Sequence, residues 1–351
     1  MARQPDHGGL EGVLIVAKPA GPTSHDVVAL VRRLSGTRRI GHGGTLDPFA
    51  SGVLPLFLGG ATRLVEYHLS DRKSYRATVC FGASSTTDDL VGELTPLEGA
   101  PLEGAAITKA LDAFRGEIRQ RPPVFSAIQV GGRRSYALAR EGTPAELPER
   151  TVTIHDLDLV SWNTDDPLRP IAVIDVTCSA GTYVRALARD LGASLGNAAY
   201  LGALTRTGSG PFRLDGALTL ERLRAAAADD PDGLGPLLLP ADAGLEDLPA
   251  VRLTTDEVRD AAMGRFVRPV AGVGDLPADA PIRLLDEAGR IVGIGSLDGR
   301  RIAPSKMLAG VRPTGDAPDA SDTSAPTAPA APTRGASDAI DADASALATD
   351  G

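Results

Sequence analysis

The sequence predicts a mixed α/β (α+β) protein with three parts. A main body is built on a central mixed, largely antiparallel sheet. A small β-rich module follows, and then a tail without fixed structure. Three observations carry this. Residues 10–228 interleave short strand-like apolar runs with segments of helical periodicity. Residues 250–312 hold short strand-like runs and one capped helix. Residues 313–351 are Ala, Pro, Asp, Ser and Thr with almost no large apolar side chain, so burial cannot offset their ordering entropy. The boundaries follow: a flexible N-terminus at 1–9, the body at 10–228, a connection at 229–249, the β-rich module at 250–312 and a disordered acidic tail at 313–351.

In chain order, Val13-Leu14-Ile15-Val16 reads as a short buried strand and Lys18-Pro19-Ala20-Gly21-Pro22 as a turn. Thr23 or Ser24 can cap the next helix, where Val27, Leu30, Val31 and Leu34 fall at helical spacing and Ser35-Gly36 ends the run. Arg32, Arg33, Arg38 and Arg39 then cluster ahead of a glycine-rich loop, Gly41 through Leu56. Thr62 to Leu69 has a helical pattern. Ser74 to Phe81 alternates as a strand, with Tyr75, Ala77, Val79 and Phe81 on one face. Residues 84–105 read as loop and Ile107 to Phe114 as a helix. Arg119 to Arg140 is basic, carries Phe125 and Tyr136, and is broken by Pro122-Pro123 and Gly131-Gly132. Basic residues interleaved with aromatics suit contact with nucleic acid, and equally an ordinary loop. Thr151 to Trp162 and Ile171 to Ser179 are a pair of strands. Gly181 to Arg185 opens a helix that places Arg185 and Arg189 one turn apart, and Thr219 to Ala228 is a further helix. Thr254-Thr255-Asp256-Glu257 is a capping box, followed by strands at Ile282 to Leu285 and Ile291 to Ile294.

At 351 residues the chain can bury a sizeable core in about two domains. No apolar run approaches the roughly 18 residues of a membrane helix, and the first residues lack a signal layout, so a soluble cytoplasmic protein is expected. Cys80 and Cys178 lie far apart in strand-like runs and read as buried thiols, and no Cys or His spacing suggests zinc. The formal net charge of -9 is unevenly spread. Residues 1–224 hold 25 Lys+Arg against 24 Asp+Glu, residues 225–312 hold 10 against 14, and residues 313–351 hold 1 against 7. The acidity belongs to the last third, and the arginine-rich body stays compatible with RNA.

Chemistry narrows to Asp47, Tyr75, Arg185, His42, Lys18 and Tyr183. Glycines free the backbone around Asp47 and Pro48 pushes it toward an extended or turn geometry, so one carboxylate is held on a tight loop. Such an Asp is commonly a turn residue; ionised, it is also a nucleophile or base. An arginine partner favours its charged form, and aromatic rings can stack on a base taken out of its helix. The chain has no Walker loop, dinucleotide fingerprint, serine elbow or metal cluster.

Six motifs in order add a resemblance. They are Lys18-Pro19-Ala20-Gly21, Gly41-His42-Gly43-Gly44-Thr45-Leu46-Asp47-Pro48, Lys73-Ser74-Tyr75-Arg76-Ala77, Gln120-Arg121-Pro122-Pro123-Val124-Phe125-Ser126-Ala127, and Cys178-Ser179-Ala180-Gly181-Thr182-Tyr183-Val184-Arg185 with Leu204-Thr205-Arg206-Thr207-Gly208 after it. Over residues 10–312 the chain resembles the bacterial TruB-type tRNA pseudouridine-55 synthases. The resemblance implies a pseudouridine-synthase-like catalytic domain followed by a PUA-like RNA-binding module. It implies isomerisation of one uridine in the T-loop of tRNA, through a flipped-out base, with no cofactor and no metal. No membrane association and no obligate protein partner are expected, and a monomer is the default. It makes Asp47 the nucleophile, attacking ring C6 or sugar C1′, and Arg185 its ion-pair partner. Tyr75 stacks on the uracil and aids proton transfer. His42 fills the gap left in the T-loop, Lys18 supports the loop or a phosphate, and Tyr183 and Leu204 line the base pocket. Phe125, Gln129, Ala198-Ala199-Tyr200 and Thr205 depart from residues common in the family and remove polar or cationic contacts at the RNA surface. Two other functions fit these residues: a tRNA-binding folding helper, and a guide-RNA-dependent pseudouridylase of ribosomal RNA.

Overall fold

A computed structural model describes residues 9–308 apart from 70–71, 98–100, 127, 144, 146, 229–232, 275 and 279. The expected tail at 313–351 and all but Gly9 of the expected flexible N-terminus lie outside the described residues. The body holds strands β1 (Gly12–Lys18), β2 (Ile40–His42), β3 (Ser51–Leu58), β4 (Lys73–Phe81), β5 (Ala83–Ser85), β6 (Leu94–Pro96) and β7 (Gly116–Gln120). It continues with β8 (Gln129–Val130), β9 (Arg133–Arg134), β10 (Arg150–Asn163), β11 (Ile171–Cys178), β12 (Ala199–Ser209) and β13 (Phe212–Arg213). Its helices are α1 (Ser24–Ser35), α2 (Gly104–Asp112), α3 (Ser135–Arg140), α4 (Val184–Ser194) and α5 (Leu220–Ala226).

The central sheet runs β1-β3-β12-β4-β11-β10-β7, with β2 on β3 and β13 on β12. It is mixed: every pair is antiparallel except β3 with β12, which run parallel through Ser51↔Thr205 and Gly52↔Arg206. Gly52 sits at a positive φ of 119° at this seam, and a Cβ there would collide with the backbone of Arg206. Only glycine lets the two strands meet. One core packs α2 and α4 on β4, β10, β11 and β12, through Ala77, Val79, Ile174, Leu187, Leu191 and Leu201. Another packs α1 and α5 on β1 and β3, through Leu14, Val27, Val31, Leu54 and Leu223. Each of these buried Leu or Val side chains contributes roughly 1.5–3 kcal/mol.

Helix α1 starts as its sequence asks. Thr23 and Asp26 close a reciprocal capping box, and Gly36 ends the helix in the left-handed region. The stretch from Gly41 to Leu56, in contrast, is not one loop. Its irregular part is confined to residues 43–50, because Val53, Leu54, Leu56, Phe57 and Leu58 are fully buried and complete β3. The helical run near 62–69 is a 3₁₀ helix, Gly59–His68. The segment at 84–105 carries the hairpin β5–β6, which Ser84↔Thr95 centres. Strand β12 has no simple alternation in the sequence, because bulges break its register at Leu201/Ala203 and Arg206/Gly208.

The described part of the connection at 229–249 is no free tether. Leu239 pairs with Val13, and Leu234, Ala241, Ala243 and Leu245 are buried. Beyond it stand β14 (Ala250–Arg252), helix α6 (Thr255–Ala262) behind the expected Thr254/Glu257 capping box, and β15 (Ile282–Leu285), β16 (Ile291–Asp298) and β17 (Arg301–Met307). These strands form a second sheet in the order β14-β15-β16-β17 with its own core of Val251, Val258, Ile282, Leu284 and Ile302. Cys178 is buried, Cys80 half-buried, and both are free. Among the described residues no helix is long and apolar enough to cross a membrane.

Candidate active site

The loop at 43–50 is held from three sides, all by backbone or buried partners. From α1, Ser24 Oγ accepts from Leu46 N–H at 2.9 Å and donates to the Leu46 carbonyl at 3.2 Å. From the turn after β1, Gly21 N–H donates to the Pro48 carbonyl at 2.8 Å, and Lys18 Nζ donates to the same oxygen at 3.3 Å. Lys18 also donates to the carbonyls of Pro19 and Pro22, and burial pushes its ammonium down to about 8 against the pull of Asp47. It is 1 % exposed, so it braces the loop from behind and offers no surface charge. From β12, Arg206 donates to the carbonyls of Val53 (2.8 Å), Thr45 (3.4 Å) and Gly44 (3.1 Å) and is hydrogen-bonded to the Tyr75 hydroxyl. Arg206 is almost wholly buried, and its charge is met by carbonyls and a phenol.

Asp47 and Arg185 meet here although they are far apart in sequence. Arg185 is the second residue of α4, and its Nε lies 3.1 Å from Asp47 Oδ2, at ion-pair distance but off the line of a hydrogen bond. Its Nη1 lies 3.4 Å from Asp89 Oδ2 and donates to the Thr87 carbonyl at 3.1 Å, and its Nη2 donates to the Phe125 carbonyl at 2.9 Å. One buried guanidinium therefore serves two carboxylates. Burial pushes the Asp47 carboxyl above its usual range; Arg185 opposes this, Asp89 adds to it, and Lys18 opposes it. The balance is upward, so Arg185 lowers the carboxyl without restoring it to an ordinary value.

Asp47, Tyr75, Tyr183, Arg185 and Leu204 line one pocket of about 390 Å³, joined by Phe125, Lys73 and Arg206. That volume has room for a base together with its sugar. Tyr75 comes from the middle of β4 and Leu204 from the neighbouring β12, where they are near register (Ala77↔Leu204, Tyr75↔Arg206). Burial raises the Tyr75 phenol, and Arg206 at its hydroxyl opposes this. Tyr183 precedes α4, and its backbone N–H and C=O are both held by the Gln120 side chain, at 2.8 and 3.1 Å. His42 and Lys18 do not line the pocket. The His42 ring accepts from Gly44 N–H through Nδ1 at 3.3 Å and packs edge-on against His25, with ring centres 5.7 Å apart. Burial, with His25 and Arg206, lowers the His42 imidazole, which favours its neutral form.

Sequence reasoning missed Asp88, Asp89 and Arg206. Asp88 stands at a positive φ of 60°, and the turn it makes presents two adjacent carboxylates to α4: Asp89 to Arg185, and Asp88 to Arg189 at 2.7 Å. The spacing of Arg185 and Arg189 puts two guanidiniums on one face of α4, but only tertiary packing brings these acids to them.

Residues 32–184 match the model of the TruB family pseudouridylate synthase N-terminal domain, and residues 185–246 that of the tRNA pseudouridylate synthase B C-terminal domain. The border between them falls between Val184 and Arg185, inside the pocket wall. A protein named tRNA pseudouridine synthase B from Synechococcus sp. (strain WH7803) is 47% identical over 82% of this chain and 94% of its own length. One of the same name from Thermobifida fusca is 42% identical over 86% and 99%. Among solved structures, the crystal structure of a Cbf5-Nop10-Gar1 complex contains a chain similar at TM-score 0.62 and 26% identity, over 87% of this chain and 91% of that one. A carboxylate on a braced glycine loop, its shared arginine and two pocket tyrosines thus stand in a chain that matches its relatives over nearly their whole length, and the chain belongs to the TruB family of pseudouridylate synthases.

Proposed function

We propose that this chain isomerises uridine to pseudouridine in the T-loop of tRNA, at the family's position 55, with Asp47 as nucleophile. The observation that carries the reading is the Asp47 carboxylate, paired with Arg185 at 3.1 Å, opening into a nucleoside-sized pocket that Tyr75 and Tyr183 line. The carboxylate adds to C6 of the ring or to C1′ of the sugar, and that bond breaks again before product leaves, which returns Asp47 as a carboxylate. By either route the N1–C1′ bond breaks and a C5–C1′ bond forms. The hydrogen on C5 leaves as a proton, N1 takes one up, and no electrons are exchanged. Arg185 holds Asp47 charged and aimed. Tyr75 stacks on the flipped uracil and assists the proton transfer at re-attachment. Tyr183 and Leu204 complete the base pocket, Lys18 fixes the loop, and His42 stands at the RNA side of β2, where it fills the gap the base leaves.

The chain acts on tRNA as a cytoplasmic monomer without guide RNA or protein partner. Supporting this over the guide-dependent alternative, identity to two proteins named tRNA pseudouridine synthase B is 42–47%, against 26% for a chain of the Cbf5-Nop10-Gar1 complex. Residues 10–228 form the catalytic domain in this reading, and residues 250–312 act as a PUA-like RNA-binding module. There Arg301 lies 4.6 Å over one face of the Phe266 ring, which is 53% exposed.

Release of tritium from 5-tritiated uridine in an unmodified T-stem-loop, with the chain alone, tests the proposal. Full release is expected, and none would overturn it. The pH profile carries a second expectation. Because Asp47 must be ionised and its carboxyl is raised, kcat/KM falls with decreasing pH at a value above the ~3.9 of a free Asp. Asp89→Asn removes a like charge and leaves Arg185 to Asp47 alone, so the acid limb moves to lower pH. A limb that stays in place would show that Asp89 does not set it.

A further inference from the structure

Arg150 opens β10 and stands on the outer side of the pocket wall. Its guanidinium lies over the Tyr183 ring, 4.6 Å from the centroid, and against Gly181, where a side chain would reach 3.7 Å from Nη1. Tyr183 and Gly181 both line the pocket. The arginines around it are matched to acids: Arg119 and Arg121 to Glu149, Arg189 to Asp88 and Asp190, Arg185 to Asp47 and Asp89. Arg150 has no acid within ion-pair distance among the described residues, and its Nε and Nη2 are enclosed without a hydrogen-bond partner.

Those two nitrogens form one edge of the guanidinium, the edge whose parallel N–H bonds grip a pair of oxygens. This chain uses that edge so elsewhere: Arg76 takes both oxygens of Asp175 through Nε and Nη2, at 2.8 and 2.7 Å. Stacking on Tyr183 occupies the face of the Arg150 guanidinium and leaves the edge unmet. Enclosed donors without an acceptor lower stability, and no protein group among the described residues accepts from these two, so their acceptor comes from outside the protein, as water or a bound group.

We infer that Arg150 is an oxyanion site for the RNA backbone, taking a phosphodiester that flanks the flipped uridine while its face braces Tyr183. The inference rests on the tRNA reading above. RNA has to uncover the edge as it docks, and a phosphate supplies the two acceptors the free chain lacks.

The test compares the full-length wild-type chain with Arg150→Met and Arg150→Lys on the 5-tritiated T-stem-loop, and on copies carrying one neutral methylphosphonate on either side of the target uridine. For Arg150→Met the loss is expected in KM, by about tenfold, with the slope of log kcat/KM against log salt reduced by roughly 0.7. Arg150→Lys recovers the slope but only part of KM, because a point charge lacks the fork. One of the two methylphosphonates should erase the difference between wild type and Arg150→Met. The free Arg150→Met chain should melt no lower than wild type, since it loses two unmet donors. The inference is overturned if Arg150→Met melts lower with an unchanged salt slope, or if neither neutral linkage narrows the gap. Filter binding of the same stem-loops reads the same differences without turnover. Failure of wild-type tritium release would thus count against the proposed reaction, and failure of the linkage effect against Arg150.

Discussion

Asp47→Asn is expected to lower tritium release by on the order of 10⁴-fold or more while leaving the protein folded and able to bind tRNA. The amide keeps the shape of the carboxylate but is no nucleophile at neutral pH. The loop does not depend on that carboxylate for its position. Leu46 is held by Ser24, Pro48 by Gly21 and Lys18, and Gly44 and Thr45 by Arg206. Removing the charge also leaves Arg185 one acid to match, Asp89. Thermal stability should therefore be retained, and T-stem-loop affinity should stay within a few-fold of wild type. Turnover by Asp47→Asn at more than a hundredth of the wild-type rate would remove Asp47 as the nucleophile. Loss of affinity together with activity would mean that the loop had collapsed.

Arg185→Met should cost both stability and rate. The Arg185 side chain is 7% exposed and that of Asp89 likewise 7%, so the substitution strands a buried carboxylate. Breaking such a pair from one side costs about 3–5 kcal/mol. The carbonyls of Thr87 and Phe125 also lose their donors. Asp47 then faces Asp89 without a cation between them. Its carboxyl moves further up, and the acid limb of kcat/KM shifts to higher pH, opposite to Asp89→Asn. At the wild-type pH optimum kcat falls on the order of 10²–10³-fold. Denaturant unfolding and the pH profile check the two halves separately, and an unmoved limb with reduced stability would make Arg185 a structural residue only.

The chemistry was easier to read from the chain than the support around it. Asp47, Tyr75, Arg185, Tyr183 and Leu204 sit in short motifs and meet in one pocket. Strands β4, β10 and β11 were legible because Ala77, Val79, Ile154 and Ile174 alternate with polar residues. Asp89 was not legible. It lies in a Thr/Ser/Asp/Gly-rich segment whose composition says loop, and its partner Arg185 is brought to it only by tertiary packing. Arg206 was hidden for another reason. A charged side chain on a strand is expected to face water, yet the carbonyls of Gly44, Thr45 and Val53 and the Tyr75 phenol give it partners inside. Lys18, in a Pro/Gly turn, could equally have faced solvent; three carbonyls hold it inside.

The parallel seam between β3 and β12 also bears on the order in which the protein takes shape. Ser51 and Thr205, hydrogen-bonded at 3.0 Å, are 154 residues apart, whereas β1 and β3 pair across a single helix and a short loop. Closing so long a span is slow, because its entropy is lost before the contact is made. On the ribosome, the antiparallel β1–β3 pair can assemble with α1 and β2 as these elements emerge. The glycine loop, though, lacks its Arg206 brace until β12 has left the exit tunnel. A nascent chain therefore carries Asp47 through the synthesis of everything up to β12 without the pocket that would make it reactive, and competence arrives in one step, when the seam closes.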